Sequence, residues 1–511
     1  MAAAPTDPVD PRVEGAIHSP TGEAAIHSPT GEAAILALDL GTTDLKAGLV
    51  TIDGRVLAQT RVTHHTSVDS RSGLAEQDPE EWWRAIVGVT RELRAGSPAE
   101  VIAISADGHG PSLVVVDADG LPVRPSMTWL DSRPRNEHAP LAEATGQTGW
   151  RLGITPAARW VERHEPQVAG RARWYLTSWE YLALRLGGVA AETVVAGHDP
   201  LNRTGLASAG LSVERLAEPA AAGSVIGRLT AAAAADLGLS PGIPVVLGLV
   251  DAYASFLGAG LRRPGDAIDT GGASGGFGVY WDAPITAAGS QTAAAPLPGL
   301  FVIGGAMAAT GAALDWFRTS VLGSAVTVDA LLEEAGQAEP GAGGLVFLPY
   351  LAGERSPIWD PGARGAFVGL TLGHGRGHLA RAIIEAAALA IRHVAEPILA
   401  AGIGVTGLRV CGGPARSDLW NQVKADVTGF PVEVPRVSET AMLGSAVLAA
   451  QAVGAYRDLP EAIGAMVHVD RRLEPRVHLR STYDAVYEAY VSLYPSLTPA
   501  NRLLAAVDPA D

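Results

Sequence analysis

Asp39 is followed by Leu40-Gly41-Thr42-Thr43, and Asp269 by Thr270-Gly271-Gly272-Ala273-Ser274. Each stretch leaves one apolar run (residues 35–38 and 267–268) and enters another. Glycines in a tight strand-to-strand turn let backbone N–H groups approach an anion without interference from Cβ, and Thr or Ser hydroxyls add donors. A carboxylate at the end of the incoming strand suits a hydrated Mg²⁺, which prefers carboxylate oxygen and keeps several waters. Singly, either turn is also an ordinary hairpin. As a facing pair they would grip one polyphosphate from both sides.

Asp251 closes the apolar run 245–250 and opens a helical pattern. Two roles are open to it there: helix N-cap, which Asp favours, or base. With a reference pKa of about 3.9 it is ionised at neutral pH. It is too weak to form an alkoxide in advance, yet phosphoryl transfer has a loose transition state that asks only for orientation and late proton acceptance.

The elements that must position these residues read as strands at 35–38, 47–52, 55–58, 101–105, 113–116 and 245–250, with a second hairpin at 267–269 and 276–280 and a strand at 408–411. Helices are expected at 80–94, 174–186, from 252, at 308–322, at 378–401, near Leu419 and Leu443, and at 483–493. Strands alternating with helices predict α/β architecture. The repeated hairpin predicts two related domains facing each other, residues 35–264 and 265–495, joined near residues 262–265. Residues 1–34 hold a tandem nine-residue repeat rich in Pro and Gly, which predicts a disordered extension; residues 496–511 are expected to form a tail.

Length agrees, since 511 residues suit two domains rather than one. The formal net charge of −16 repels phosphate backbones and anionic lipids, so neither nucleic acid nor membrane is an expected partner. The single cysteine, Cys411, excludes an intrachain disulfide and a multi-cysteine zinc site. No run approaches the ~18 apolar residues of a membrane span and no secretory signal is present, so a cytoplasmic location is expected. There is no Gly-x-x-x-x-Gly-Lys-Ser/Thr, no His-Glu-x-x-His, and no Gly-x-Gly-x-x-Gly in a strand–helix setting.

Residues 35–46, Ile-Leu-Ala-Leu-Asp-Leu-Gly-Thr-Thr-Asp-Leu-Lys, resemble the opening phosphate hairpin of FGGY carbohydrate kinases. Glu76-Gln77-Asp78-Pro79, Trp129-Leu130-Asp131-Ser132-Arg133, the 365–385 segment and Gly412-Gly413-Pro414-Ala415-Arg416-Ser417 with Trp420-Asn421-Gln422 are similar to further blocks of that family, in its order. The resemblance spans residues 35–456. It implies a two-domain actin/Hsp70/hexokinase-like (ribonuclease H-like) fold with an inter-domain cleft, and ATP-dependent phosphorylation of a sugar hydroxyl. It implies Asp251 as the base; Gly41, Thr42, Thr43, Lys46, Gly271, Gly272, Ser274, Gly412, Gly413 and Asn421 around ATP; and Asp39 toward Mg²⁺. His109, in a His-Gly loop like that of the xylulokinase branch, is expected to hydrogen-bond sugar. Asp131 and Arg133 either bind sugar or hold each other as an ion pair, and Trp82 and Trp83 either wall the pocket or belong to the core. A pentulose such as D-xylulose is the expected acceptor. Another polyol, a hexulose or an aldonate such as gluconate is the alternative, as is a non-catalytic regulator on the same fold. A homodimer is compatible with all of these. Three departures bear on the site: Ala273 stands where the family has Thr, Ala157 where it has Lys ahead of Trp-Val, and residues 194–199, where relatives often place a sugar-contacting acidic residue, do not align cleanly.

Overall fold

The computed structural model describes residues 32–69, 71–195, 203–323, 325–505 and 507; the N-terminal repeat and residues 196–199 lie outside this set. Ala33–Leu40 (β1) buries seven consecutive residues, as a strand covered on both faces must. It pairs antiparallel with Asp44–Thr51 (β2), which pairs with Val56–Thr63 (β3). The amphipathic helix Pro79–Gly96 (α1) starts at an Asp78 cap and packs on this sheet. Glu100–Gly108 (β4) runs parallel to β1. Val225–Arg228 (β5) and Pro244–Val246 (β6) complete the sheet in the order β5-β6-β4-β1-β2-β3, and the helix Asp251–Gly258 (α2) follows.

The second half repeats the plan. Asp266–Asp269 (β7) and Gly275–Trp281 (β8) form the hairpin, extended by Gln291–Ala294 (β9) and Phe301–Met307 (β10). The long helix Arg376–Ala400 (α3) precedes Gly407–Val410 (β11), which lies parallel to β7 as β4 does to β1. Asp418–Thr428 (α4), Val432–Pro435 (β12), Thr440–Ala452 (α5) and Val469–Leu473 (β13) finish a sheet ordered β9-β10-β8-β7-β11-β12-β13. A hairpin followed by parallel neighbours thus occurs twice, as the duplicated turns predict.

The halves meet where α2 crosses α5 in backbone contact. A Cβ on Gly258 would lie 1.8 Å from the Thr440 carbonyl oxygen, and one on Gly444 would lie 1.9 Å from that of Ala254. Only glycine permits so close a crossing.

Three expectations need correction. Residues 174–186 are not one helix: Trp174–Leu176 is a strand paired with Val114–Val116, and Thr177 caps the helix Ser178–Gly187 through a capping box with Glu180. Apolar side chains on both segments had the period of one helix, but Thr-x-x-Glu marks a start between them. The helix expected at 308–322 begins only at Gly311, because the preceding backbone is bent onto the turn 272–273. The strand at 245–250 is shorter, although Val250 still bridges Gly108. Among the described residues no helix is long and apolar enough to cross a membrane.

Candidate active site

Three aspartates lie at neighbouring strand ends. Asp39 and Asp107 are register partners at the C-terminal ends of the parallel pair β1 and β4. Gly108 then bridges Val250, which delivers Asp251 to the third position. This edge is where open α/β sheets bind ligands. Asp39 and Asp107 are almost fully buried, and burial raises the pKa of both. The neighbouring Asp39 charge pushes Asp107 further, well above the ordinary carboxylate range. Two adjacent carboxylates cannot both ionise cheaply, and each raises the cost of charge on the other. Asp107 Oδ2 accepts a 2.7 Å hydrogen bond from Ser445 on α5, while its Oδ1 is buried without a protein donor. Asp251 accepts from the Ala252 N–H at 2.7 Å. Burial first, and the Asp39 charge second, push it up to about 7.

Lys46 Nζ stands 3.2 Å from Asp39, 3.2 Å from Glu439 across the domain junction and 3.9 Å from Asp44. Burial alone would lower its pKa, but these carboxylates prevail and raise it. In the second half, Lys424 Nζ lies 2.5 Å from Asp269, both buried. Of the 38 Lys and Arg residues only Lys46 and Lys424 are lysines, and each neutralises the aspartate of one turn. A compact ammonium fits beneath a tight turn where the wide guanidinium fork would not.

Both turns are wired alike. In the first, the Gly41 carbonyl meets the His64 ring at 2.9 Å, the Thr42 carbonyl accepts from Gln77 at 2.8 Å and the Thr43 carbonyl from His64 N–H at 3.1 Å. In the second, the Gly272 carbonyl accepts from Gly311 N–H at 3.0 Å and the Ala273 carbonyl from Thr310 and Ala312 N–H at 3.0 and 2.9 Å. Among the described residues the N–H groups of Thr42, Thr43, Ala273 and Ser274 have no acceptor. Carbonyls held inward and N–H groups left outward make an anion-receptive surface. Because these donors are backbone, Ala273 removes a hydroxyl without removing the receptor. Gly412, at φ 75°, approaches so closely that a Cβ would sit 1.6 Å from the Gly271 carbonyl oxygen. That contact joins the second turn to the 412–417 loop. The donor set around Asp39 and Asp107, including the unfilled Asp107 Oδ1, fits a hydrated Mg²⁺.

A cavity of about 840 Å³ is walled in part by Thr270 and Gly275, which bracket the second turn; residues 39–43 of the first turn are not on its wall. Its wall includes Asp251, Thr270 and Gly276, together with Arg151 and Arg355. Several predicted residues do not face it. His109 is a correction: it is fully buried, its Nδ1 is 2.8 Å from Ser112 Oγ and its Nε2 is 3.1 Å from Gln77 Oε1. Both ring nitrogens are spent inside the protein and none is left for sugar. Asp131 and Arg133 take the ion-pair alternative, a two-pronged contact joined by Glu76, with the guanidinium 4.8 Å over the Trp160 ring. Asn421 is also corrected: it is buried beneath the 412–417 loop and donates to the Ala415 carbonyl at 2.7 Å, so it braces that loop rather than bordering a nucleotide. Trp82 and Trp83 are core. Sequence reasoning gave no role to Asp107, Ser445 or Glu439. Asp107 carried the signal that marked Asp39 and Asp251, an aspartate ending an apolar strand; Ser445 and Glu439 carried none.

The family model for the FGGY family of carbohydrate kinases, N-terminal domain, matches residues 34–258, and that for the C-terminal domain matches residues 254–453. A gluconokinase of Bacillus subtilis (strain 168) is 28% identical over 90% of this chain and 95% of its own length. A glycerol kinase of Gloeobacter violaceus is 33% identical over 86% and 92%. The crystal structure of xylulose kinase from Rhodospirillum rubrum superposes with a TM-score of 0.77 at 30% identity, covering 92% of this chain and 99% of that one. Two family domains in order, shared over nearly the full length of these relatives, show that this chain belongs to the FGGY family of carbohydrate kinases and is an ATP-dependent sugar kinase.

Proposed function

We propose that the chain transfers the terminal phosphoryl group of ATP to a hydroxyl of a small polyhydroxylated acceptor, a pentulose such as D-xylulose, with Asp251 as the base. The observation that carries this reading is the position of Asp251, on the wall of the 840 Å³ cavity with Thr270 and Gly275, which bracket the second turn, and within reach of the charge of Asp39 at the root of the first. A carboxylate held near pKa 7 accepts a proton better than one at 3.9 and is still substantially ionised at neutral pH. It orients the acceptor hydroxyl toward phosphorus and takes its proton as the new O–P bond forms. Thr42 and Thr43 from one side, and Ala273 and Ser274 from the other, offer N–H groups to phosphate oxygens; the predicted Gly41 and Gly272 instead shape the turns, their N–H groups donating to the Asp44 carbonyl at 2.9 Å and the Ser274 carbonyl at 2.8 Å. Gly412 and Gly413 flank the nucleoside. Asp39, with Asp107 beside it, would hold Mg²⁺, which would offset phosphate charge. Lys46 partly offsets the cost of charge on the buried Asp39. A second reading, an aldonate acceptor such as gluconate, is favoured by Arg151 and Arg355 on the same wall, since arginine recognises carboxylates in two-pronged fashion.

A coupled ADP-release assay over D-xylulose, other ketoses, glycerol and gluconate tests both readings. Turnover that depends on D-xylulose supports the first and turnover with gluconate the second. ADP release independent of any acceptor would overturn both.

A further inference from the structure

Arg355 differs from other arginines withdrawn from solvent. Arg124, Arg133, Arg381 and Arg409 are each paired with carboxylates. Arg355 is partly buried, enough to lower its pKa, yet forms no ion pair among the described residues. Its side chain makes one hydrogen bond, from Nη2 to the Met307 carbonyl at 3.2 Å. The adjacent Glu354 acts on it as a nearby charge without a side-chain bond, its Oε1 accepting from the backbone N–H groups of Ala308 at 2.8 Å and Arg355 at 2.7 Å. A guanidinium has five N–H donors, so most of this fork is unspent.

Its position gives the unspent donors a target. Met307 is the register partner of Gly275, the residue that leaves the second turn. Arg355 therefore sits beside that turn, on the wall of the cavity that also holds Asp251 and Thr270. The backbone is firmly mounted: Ser356 N–H donates to the Ala306 carbonyl at 3.0 Å, and Glu354 exchanges two 2.9 Å bonds with Asp360. A lone carbonyl contact needs only a neutral donor. A desolvated cation is costly unless an anion joins it, and the space before it is open.

We propose that Arg355 is a further catalytic residue, whose guanidinium binds an oxyanion between the second turn and Asp251. Resting on the kinase reading above, this assigns it either the phosphoryl group in transit or the carboxylate of an aldonate acceptor. In the transfer step the acceptor O–P bond forms while the O–P bond to ADP breaks, and the hydroxyl proton passes to Asp251. Arg355 exchanges neither proton nor electrons; it offsets charge on the non-bridging oxygens.

The test compares wild type with Arg355→Gln and Arg355→Lys. Steady-state kinetics are measured on the acceptor panel, and calorimetry measures binding of ADP and of ADP with aluminium fluoride in the presence of acceptor. If the oxyanion is the phosphoryl group, Arg355→Gln lowers kcat at least roughly 100-fold. It also weakens aluminium fluoride-dependent binding by a similar factor and leaves ADP affinity unchanged. If it is the acceptor's carboxylate, KM for gluconate rises about tenfold, the worth of one charged hydrogen bond, while ketose kinetics stay put. A variant matching active wild type in all of these overturns the proposal. Should Arg355→Gln fail to fold, Arg355→Lys decides alone: it keeps charge and stem but not the fork, so wild-type values in it are equally fatal. A wild type without acceptor-dependent turnover instead fails the kinase reading, and aluminium fluoride binding that is equal in wild type and variants then rejects Arg355 as well.

Discussion

Asp251 owes its pKa near 7 to burial and to Asp39, and this fixes the sign of a pH effect. The base works ionised, so log kcat/KM for the acceptor should climb with unit slope below pH about 7 and level off above it, since that parameter reports the free enzyme. The stability effect runs the opposite way. A carboxylate whose folded pKa exceeds its unfolded value binds more protons when folded, so its contribution is full below the unfolded pKa and declines as pH rises toward 7. Asp251→Asn should lower kcat at least ~100-fold, abolish the acid limb, and leave nucleotide binding in place; a retained acid limb would point to another base. Asp39 and Asp251 were legible because an aspartate ending an apolar strand needs only local pattern to be noticed. His109 was misread for the converse reason. Its burial depends on Gln77, Ser112 and the edge of Trp82, with ring centroids 5.4 Å apart, and Gln77 and Trp82 reach it from elsewhere in the chain.

At the scale of elements, α2 carries Asp251 at its first position and crosses α5, which carries Ser445 toward Asp107. The crossing is fixed by Gly258 and Gly444, whose Cβ positions are already filled by backbone oxygen. Gly444→Ala must therefore push the helices apart. The expected cost is about 1–3 kcal/mol, as for other overpacked sites, read as a lower denaturant midpoint, with reduced kcat because the start of α2 moves with the helix. By contrast Gly402, at φ 89° with no neighbour near its Cβ, should lose stability on Ala substitution only through backbone strain, without a kinetic effect. A Gly444→Ala enzyme with wild-type midpoint and kcat would refute the account of the crossing. The long helix α3 and both hairpins were readable from periodicity and turn residues. The split at Thr177 was missed although its capping box stood in the sequence, because continuous apolar spacing outweighed a single start signal. The crossing glycines had no local signature, since their need arises only when two distant helices meet.

For the whole molecule, the halves are linked both at the helix crossing and on the cavity wall, where the Tyr253 hydroxyl donates to the Ala294 carbonyl at 2.8 Å. At the crossing Gly258 and Gly444 touch, Ser445 bonds Asp107, and Lys46 bridges Asp39 and Glu439. The cavity opens beyond them between walls from both halves, Asp251 from one and Thr270 and Arg355 from the other. Closure of these walls on ligand would turn about the helix crossing and would have to carry the Tyr253–Ala294 bond with it. Phosphoryl transfer to a sugar competes with transfer to water, so a wet cleft would waste ATP and a closed one would not. If, as proposed, the two turns hold opposite ends of one polyphosphate and the acceptor lies against Asp251, nucleotide and acceptor together should draw the walls inward. Small-angle scattering should then record a smaller radius of gyration with acceptor plus a non-hydrolysable ATP analogue than with either alone. Arg355→Gln, lacking one wall's grip on the shared oxyanion, should compact less at saturating ligand. Dimensions unchanged by both ligands together would mean that the walls are already at their working distance, and that water is excluded by the acceptor itself rather than by movement of the halves.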